Sequence, residues 1–110
     1  MTVSNPSVID LISYDPRTDT VVLSMVEERE WGLRGELLID LQAKLNAYLA
    51  FVLDGQLADH YPQYAGKGIR FALHHQFELG QMDVEFLARV KREHLDPEGI
   101  DWEQRPIRGR

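Results

Sequence analysis

The chain has 110 residues, with 18 acidic against 12 basic side chains for a net charge of −6, and it contains no cysteine. That length fits one domain, 1–110, with residues 1–7 and 104–110 expected to fray. The acidic balance argues against a dedicated nucleic-acid binder, whose affinity comes mainly from neutralising phosphates, and the lack of cysteine excludes disulfides, thiolate nucleophiles and sulfur-ligated metal sites.

The first apolar run, Val8-Ile9-Asp10-Leu11-Ile12, meets a turn signal at Tyr14-Asp15-Pro16-Arg17-Thr18-Asp19. Pro16 pre-sets its own φ, and Asp15 and Asp19 are placed to bond nearby backbone amides. Thr20 to Val26 follows, rich in β-branched residues, so the two runs read as an antiparallel hairpin. A polar stretch then leads to Trp31-Gly32-Leu33-Arg34-Gly35, which is loop chemistry. From Glu36 the period changes: Leu37, Leu41, Leu45, Tyr48, Leu49 and Val52 fall on one face of a helix of about 19 residues. Gly55 is its predicted C-cap.

Residues 56–67 read as irregular, with one helical turn before Tyr61-Pro62. Ile69, Phe71, Leu73, His75, Phe77 and Leu79 then alternate with Arg70, Ala72, His74, Gln76 and Glu78, the pattern of a long half-buried strand. Met82, Phe86, Leu87, Val90 and His94 recur at helical spacing, Pro97-Glu98-Gly99 breaks that helix, and Ile100 to Glu103 reads as a last strand. The predicted fold class is α+β, a ββαβαβ two-layer sandwich with a four-stranded sheet and two helices on one face. Strand order does not follow from the pattern.

Several of these strings also carry a resemblance. Val8-Ile9-Asp10-Leu11-Ile12 with Tyr14-Asp15-Pro16 and Thr18-Asp19 resembles the opening of a bacterial family of small domains of unknown function. The helix string Leu41-Gln42-Ala43-Lys44-Leu45-Asn46-Ala47-Tyr48 continues the likeness through Phe51 and Asp54-Gly55. So do Tyr61-Pro62 and Phe86-Leu87-Ala88-Arg89-Val90. The resemblance covers most of residues 8–91. It implies a small cytoplasmic α+β domain, and it transfers no activity and no catalytic residue.

Chemistry is sparse. His74 and His75 leave opposite faces of a strand and cannot share an ion, and no His-x-His or His-Glu-x-x-His spacing occurs, so no metal is expected. No serine sits in a nucleophile elbow, and Gly66-Lys67-Gly68 precedes a strand, the wrong context for a phosphate loop. No catalytic residue or cofactor is therefore assigned. His75 interrupts an apolar face and reads first as a core histidine bonded to a backbone carbonyl or a side chain. The candidate binding face is Arg70, His74, Gln76 and Glu78. Trp31, Phe51 and Trp102 lie outside the clearest core stripes and are the candidate contacts of a homodimer. Arg105, Arg108 and Arg110 skew the basic charge late in the chain, a weak pointer to phosphate.

The N-terminus lacks a basic, apolar leader, and Leu37 to Leu53 is broken by Asp40, Gln42, Lys44 and Asn46, so neither a secretory signal nor a membrane span is expected. The expectation is a cytoplasmic, homodimeric, non-catalytic interaction module, with an unknown protein partner allowed. The competing expectation is a small enzyme or ligand-binding protein with a sheet–helix pocket near His75 or the Arg70–Glu78 strand face.

Overall fold

Alternating residues in three of the strands supply one apolar sheet face, and the helices lie on it. A computed structural model describes residues 11–31 and 36–107. Along the chain, β1 (Leu11–Asp15) and β2 (Thr20–Glu27) are followed by α1 (Glu36–Leu53) and a short α2 (Gln56–His60). Next come a 3₁₀ turn at Pro62–Tyr64, β3 (Gly68–His75), α3 (Gln81–Val90), a π turn at Lys91–Leu95, a second 3₁₀ turn at Asp96–Glu98 and β4 (Ile100–Pro106). The fold is α+β, with α2 added to the six expected elements.

The strands lie in sequence order, β1-β2-β3-β4. β1 runs antiparallel to β2, while β2, β3 and β4 are mutually parallel because a helical crossover separates each pair. The register aligns Val21 with Ile69 and Ile100, then Leu23 with Phe71 and Trp102, then Met25 with Leu73. These side chains share a face, and Leu41, Leu45 and Tyr48 of α1, Leu87 of α3 and Leu95 join them in one buried cluster. Within it Tyr48 packs edge-on against Phe71, at 5.6 Å between ring centroids, and its hydroxyl donates to the Ser24 carbonyl at 2.7 Å. That bond satisfies a polar atom that would otherwise be costly to bury.

Four boundaries differ from the pattern reading, each for a local reason. Tyr14 and Asp15 belong to β1, because Asp15 pairs with Thr20 and leaves only Pro16–Asp19 for the turn. Within that turn Asp15 accepts the Arg17 amide at 3.0 Å, and Asp19 adopts a left-handed φ of 54°. The Val8–Asp10 part of the expected strand lies outside the described residues.

β3 stops at His75, not Leu79. The Gln76 amide still donates to the Glu27 carbonyl at 2.9 Å, but β2 offers nothing beyond Glu27 and the chain bends away. Phe77 is therefore exposed. β4 runs on through Gln104–Pro106, expected as the start of a frayed tail, because these residues pair with Leu73–His75 and the Ile107 amide donates to the His75 carbonyl at 2.7 Å. Residues 108–110 lie outside the described set.

The fourth difference is the π turn. Regular helical spacing from Leu87 places His94 on the buried face two turns later. The π turn accommodates one extra residue, so Leu95 takes that place, with no exposed surface, and His94 stays outside. At the end of α1, Gly55 does adopt the left-handed conformation, with φ 84°.

Candidate functional site

α1 and α3 leave a cleft of about 170 Å³ between them. Leu45, Leu49, Phe86 and Val90 form its apolar floor, and Gln42, Asn46, Arg89, Glu93 and His94 stand around its rim. On α1 the lining residues recur at i, i+3, i+4 and i+7 from Gln42, so one helical stripe supplies that wall. On α3 the stripe from Phe86 follows the same rule as far as the π turn, which leaves His94 at the rim. Turns of this kind occur often at functional sites. The side chains of Gln42, Asn46, Arg89, Glu93 and His94 take part in no hydrogen bond or ion pair among the described residues.

That idleness contrasts with the other charged clusters. Glu27, fully buried at the end of β2, accepts the Arg29 amide at 2.8 Å and the Arg29 guanidinium at 3.0 and 2.8 Å. Arg29 also reaches Asp40 on α1, at 3.3 Å. The bond to Glu27, first, and then the charges of Glu27 and Asp40 raise the pKa of Arg29 above its ordinary value. This is a clamp from the loop after β2 onto α1, and its groups are already committed.

A second cluster joins segments far apart in sequence. Tyr14 stacks on Tyr64 at 6.0 Å between centroids, Tyr64 stacks on Tyr61 at 5.9 Å, and the Lys67 ammonium lies 5.7 Å from the Tyr14 ring centre. The Tyr14 hydroxyl donates to Asp19, and Lys67 pairs with the same carboxylate at 2.9 Å. The bond to Asp19 raises the Tyr14 pKa. Asp19 is lowered by the donors Tyr14 and Lys67, and Lys67 is raised by its bond to Asp19. Asp15 is lowered chiefly by the Arg17 amide. Tyr14, Gln63, Tyr64 and Lys67 line a shallow depression here.

The sequence-predicted site residues are dispersed. Arg70 is only 18% exposed at its side chain and is held by Asp15 at 3.5 Å, Glu103 at 3.6 Å and the Thr18 hydroxyl at 3.2 Å, bridging the sheet from β1 to β4. His74 shares its sheet face, but Gln76 and Glu78 lie past the end of β3 and do not extend that face as the alternation suggested. His75 is buried, and its Nδ1 lies 3.0 Å from the Phe77 carbonyl, so that nitrogen carries the proton.

The three aromatic candidates for a dimer contact are used within the molecule. Trp31 packs against the core and donates to the Phe77 carbonyl at 3.2 Å. Phe51 packs against the core and stacks on His60 of α2 at 6.1 Å, so the segment after α1 covers that side of the helix. Trp102 packs on the helix-covered face and donates to Gln104 at 2.8 Å. Arg105 pairs with Glu103 in β4, whereas Arg108 and Arg110 lie outside the described residues.

Sequence reasoning missed the cleft, because Gln42, Leu45, Asn46 and Leu49 form a single stripe on α1 and no local pattern pairs it with the stripe on α3. Among the described residues, no group of three or more His, Asp or Glu side chains is arranged to hold a metal ion, and no helix is long and apolar enough to cross a membrane. No curated protein and no solved structure matches the chain. Residues 1–105 match the model of a family of unknown function, DUF6572, and the chain belongs to that family.

Proposed function

We propose that this protein is a non-catalytic interaction module that receives an apolar side chain of another protein molecule in the cleft between α1 and α3. The observation that carries the reading is the ring of five polar side chains around an apolar floor, none of them hydrogen-bonded or ion-paired among the described residues. Size then separates two kinds of occupant. Pockets for drug-sized ligands run to about 300–1,000 Å³, whereas about 170 Å³ suits one large apolar side chain. Protein interfaces concentrate binding energy in such anchors, surrounded by contacts that exclude water.

The test combines native mass spectrometry with peptide selection from a random displayed library. The expected result is no tightly held small molecule, and selected peptides that share a large apolar residue and shift the amide resonances of Asn46, Leu49, Arg89 and Val90. Asn46→Trp, which fills the cleft from its rim, is expected to abolish that binding. Peptides that bind the variant equally well would overturn the reading. A small molecule carried by the wild type and lost from Asn46→Trp would replace it with a ligand-binding or enzymatic role.

A further inference from the structure

We infer that the molecule seated on this cleft is a second copy of the chain, an inference that rests on the interaction reading and names its partner. The apolar surface does not stop at Gln42 and Phe86. Ile39 precedes Gln42 by three residues on α1, and Met82 precedes Phe86 by four on α3, so helical spacing keeps both on the walls that line the cleft. Ile39 is 73% exposed and Met82 51%, so the fold does not bury them. One surface therefore presents a hole and, one turn away, two projecting apolar side chains. A two-fold axis crossing the helices at the level of Gln42 and Phe86 lays Ile39 and Met82 of each copy over the cleft of the other. That is the self-complementary arrangement an isologous pair requires.

Charge permits the approach. The chain carries −6 overall. On the cleft rim Arg89 offsets Glu93, and the exposed Glu85, three residues after Met82, leaves the contact surface mildly acidic, a repulsion that salt screens. Area sets the strength. Two helices about 10 Å apart over three turns, about 16 Å, offer on the order of 300 Å² per copy. A standard stable interface takes about 800 Å² per partner, so the association is weak and reversible.

Sedimentation velocity over a wide concentration range, on the wild type, Ile39→Asp and Asn46→Trp, tests the assignment. The wild-type coefficient is expected to rise with concentration towards a dimer. Both variants are expected to stay monomeric with unchanged thermal melting, because positions 39 and 46 are exposed and an acid suits the first turns of a helix. A wild type that is monomeric throughout, or a dimer that survives both substitutions, overturns the inference. If such a monomer still takes selected peptides in the cleft, the second copy falls and the interaction reading stands. If it instead carries a small molecule there, both fall together.

Discussion

Leu95→Ala tests why the helix widens after Val90. Leu95 has no exposed surface and sits in the cluster with Leu87 and Ile100. The substitution removes three carbon atoms, worth about 2.4 kcal/mol at about 0.8 kcal/mol for each buried methylene. The cavity left behind adds to that, so about 3 kcal/mol is the expected loss, within the range of about 2.7–5 kcal/mol seen for buried leucines. Urea unfolding followed by far-ultraviolet circular dichroism measures it as a lower midpoint at unchanged slope, and the melting temperature falls by about 12 °C. Deleting Glu93 is the companion experiment. It brings Leu95 to the position seven residues after Leu87, where a regular helix buries it without a π turn, so the deletion is expected to cost less than about 1 kcal/mol. A loss below about 1 kcal/mol for Leu95→Ala, or a deletion as damaging as the substitution, would refute the idea that the widening exists to deliver Leu95 to the core.

Other perturbations follow from the charged clusters. Glu27→Gln is expected to cost about 2 kcal/mol in the same assay, less than the 3–5 kcal/mol of a fully buried pair, because Arg29 keeps 42% of its side-chain surface in water. Arg70→Met keeps the aliphatic stem but releases Asp15 and Glu103, and a lower melting temperature is expected, with little of the difference removed by salt because the pair is shielded. The lowered pKa values of Asp15 and Asp19 mean that their contribution is present above the ordinary carboxylate range and is lost as pH falls through the folded-state values. The raised values of Tyr14 and Lys67 act at the other end, giving stability below about pH 10 that disappears as pH rises through the folded-state values. Asp19→Asn is therefore expected to flatten the melting-temperature profile at both extremes, and a profile identical to the wild type would remove the Tyr14–Asp19–Lys67 cluster from the account.

What could be read in the sequence was whatever depends on near neighbours. The stripe from Leu37 to Val52, the β-branched run from Thr20 and the left-handed Gly55 all answer to local rules, and the structure places them as those rules require. What escaped depends on distant residues. The end of β3 is set by where β2 runs out, so the alternation through Phe77 and Leu79 misled. The choice between His94 and Leu95 is made by the core, not by helical periodicity. Lys44 looked like a polar break in α1 yet is buried, with its ammonium 5.7 Å from the Tyr48 ring centre. Tyr14 and Lys67 are 53 positions apart and meet only because β1 and β3 flank β2. The cleft needs two stripes on separate helices, and neither stripe alone reveals a concavity. Trp31 and Phe51 stood apart from the obvious stripes because short segments after β3 and α1 complete their surroundings, whereas Trp102 donates to Gln104 within its own strand.

The sequential strand order bears on how the chain assembles as it is made. Each strand docks against the one synthesised before it, so no gap waits for a later insertion, and contacts close over modest separations. Until Ile100–Pro106 arrives, however, β3 is the outer strand and presents its unpaired amides and carbonyls beside Phe71 and Leu73. A nascent or proteolytically shortened chain lacking β4 thus displays an uncovered apolar edge, the surface from which strand-to-strand aggregation begins.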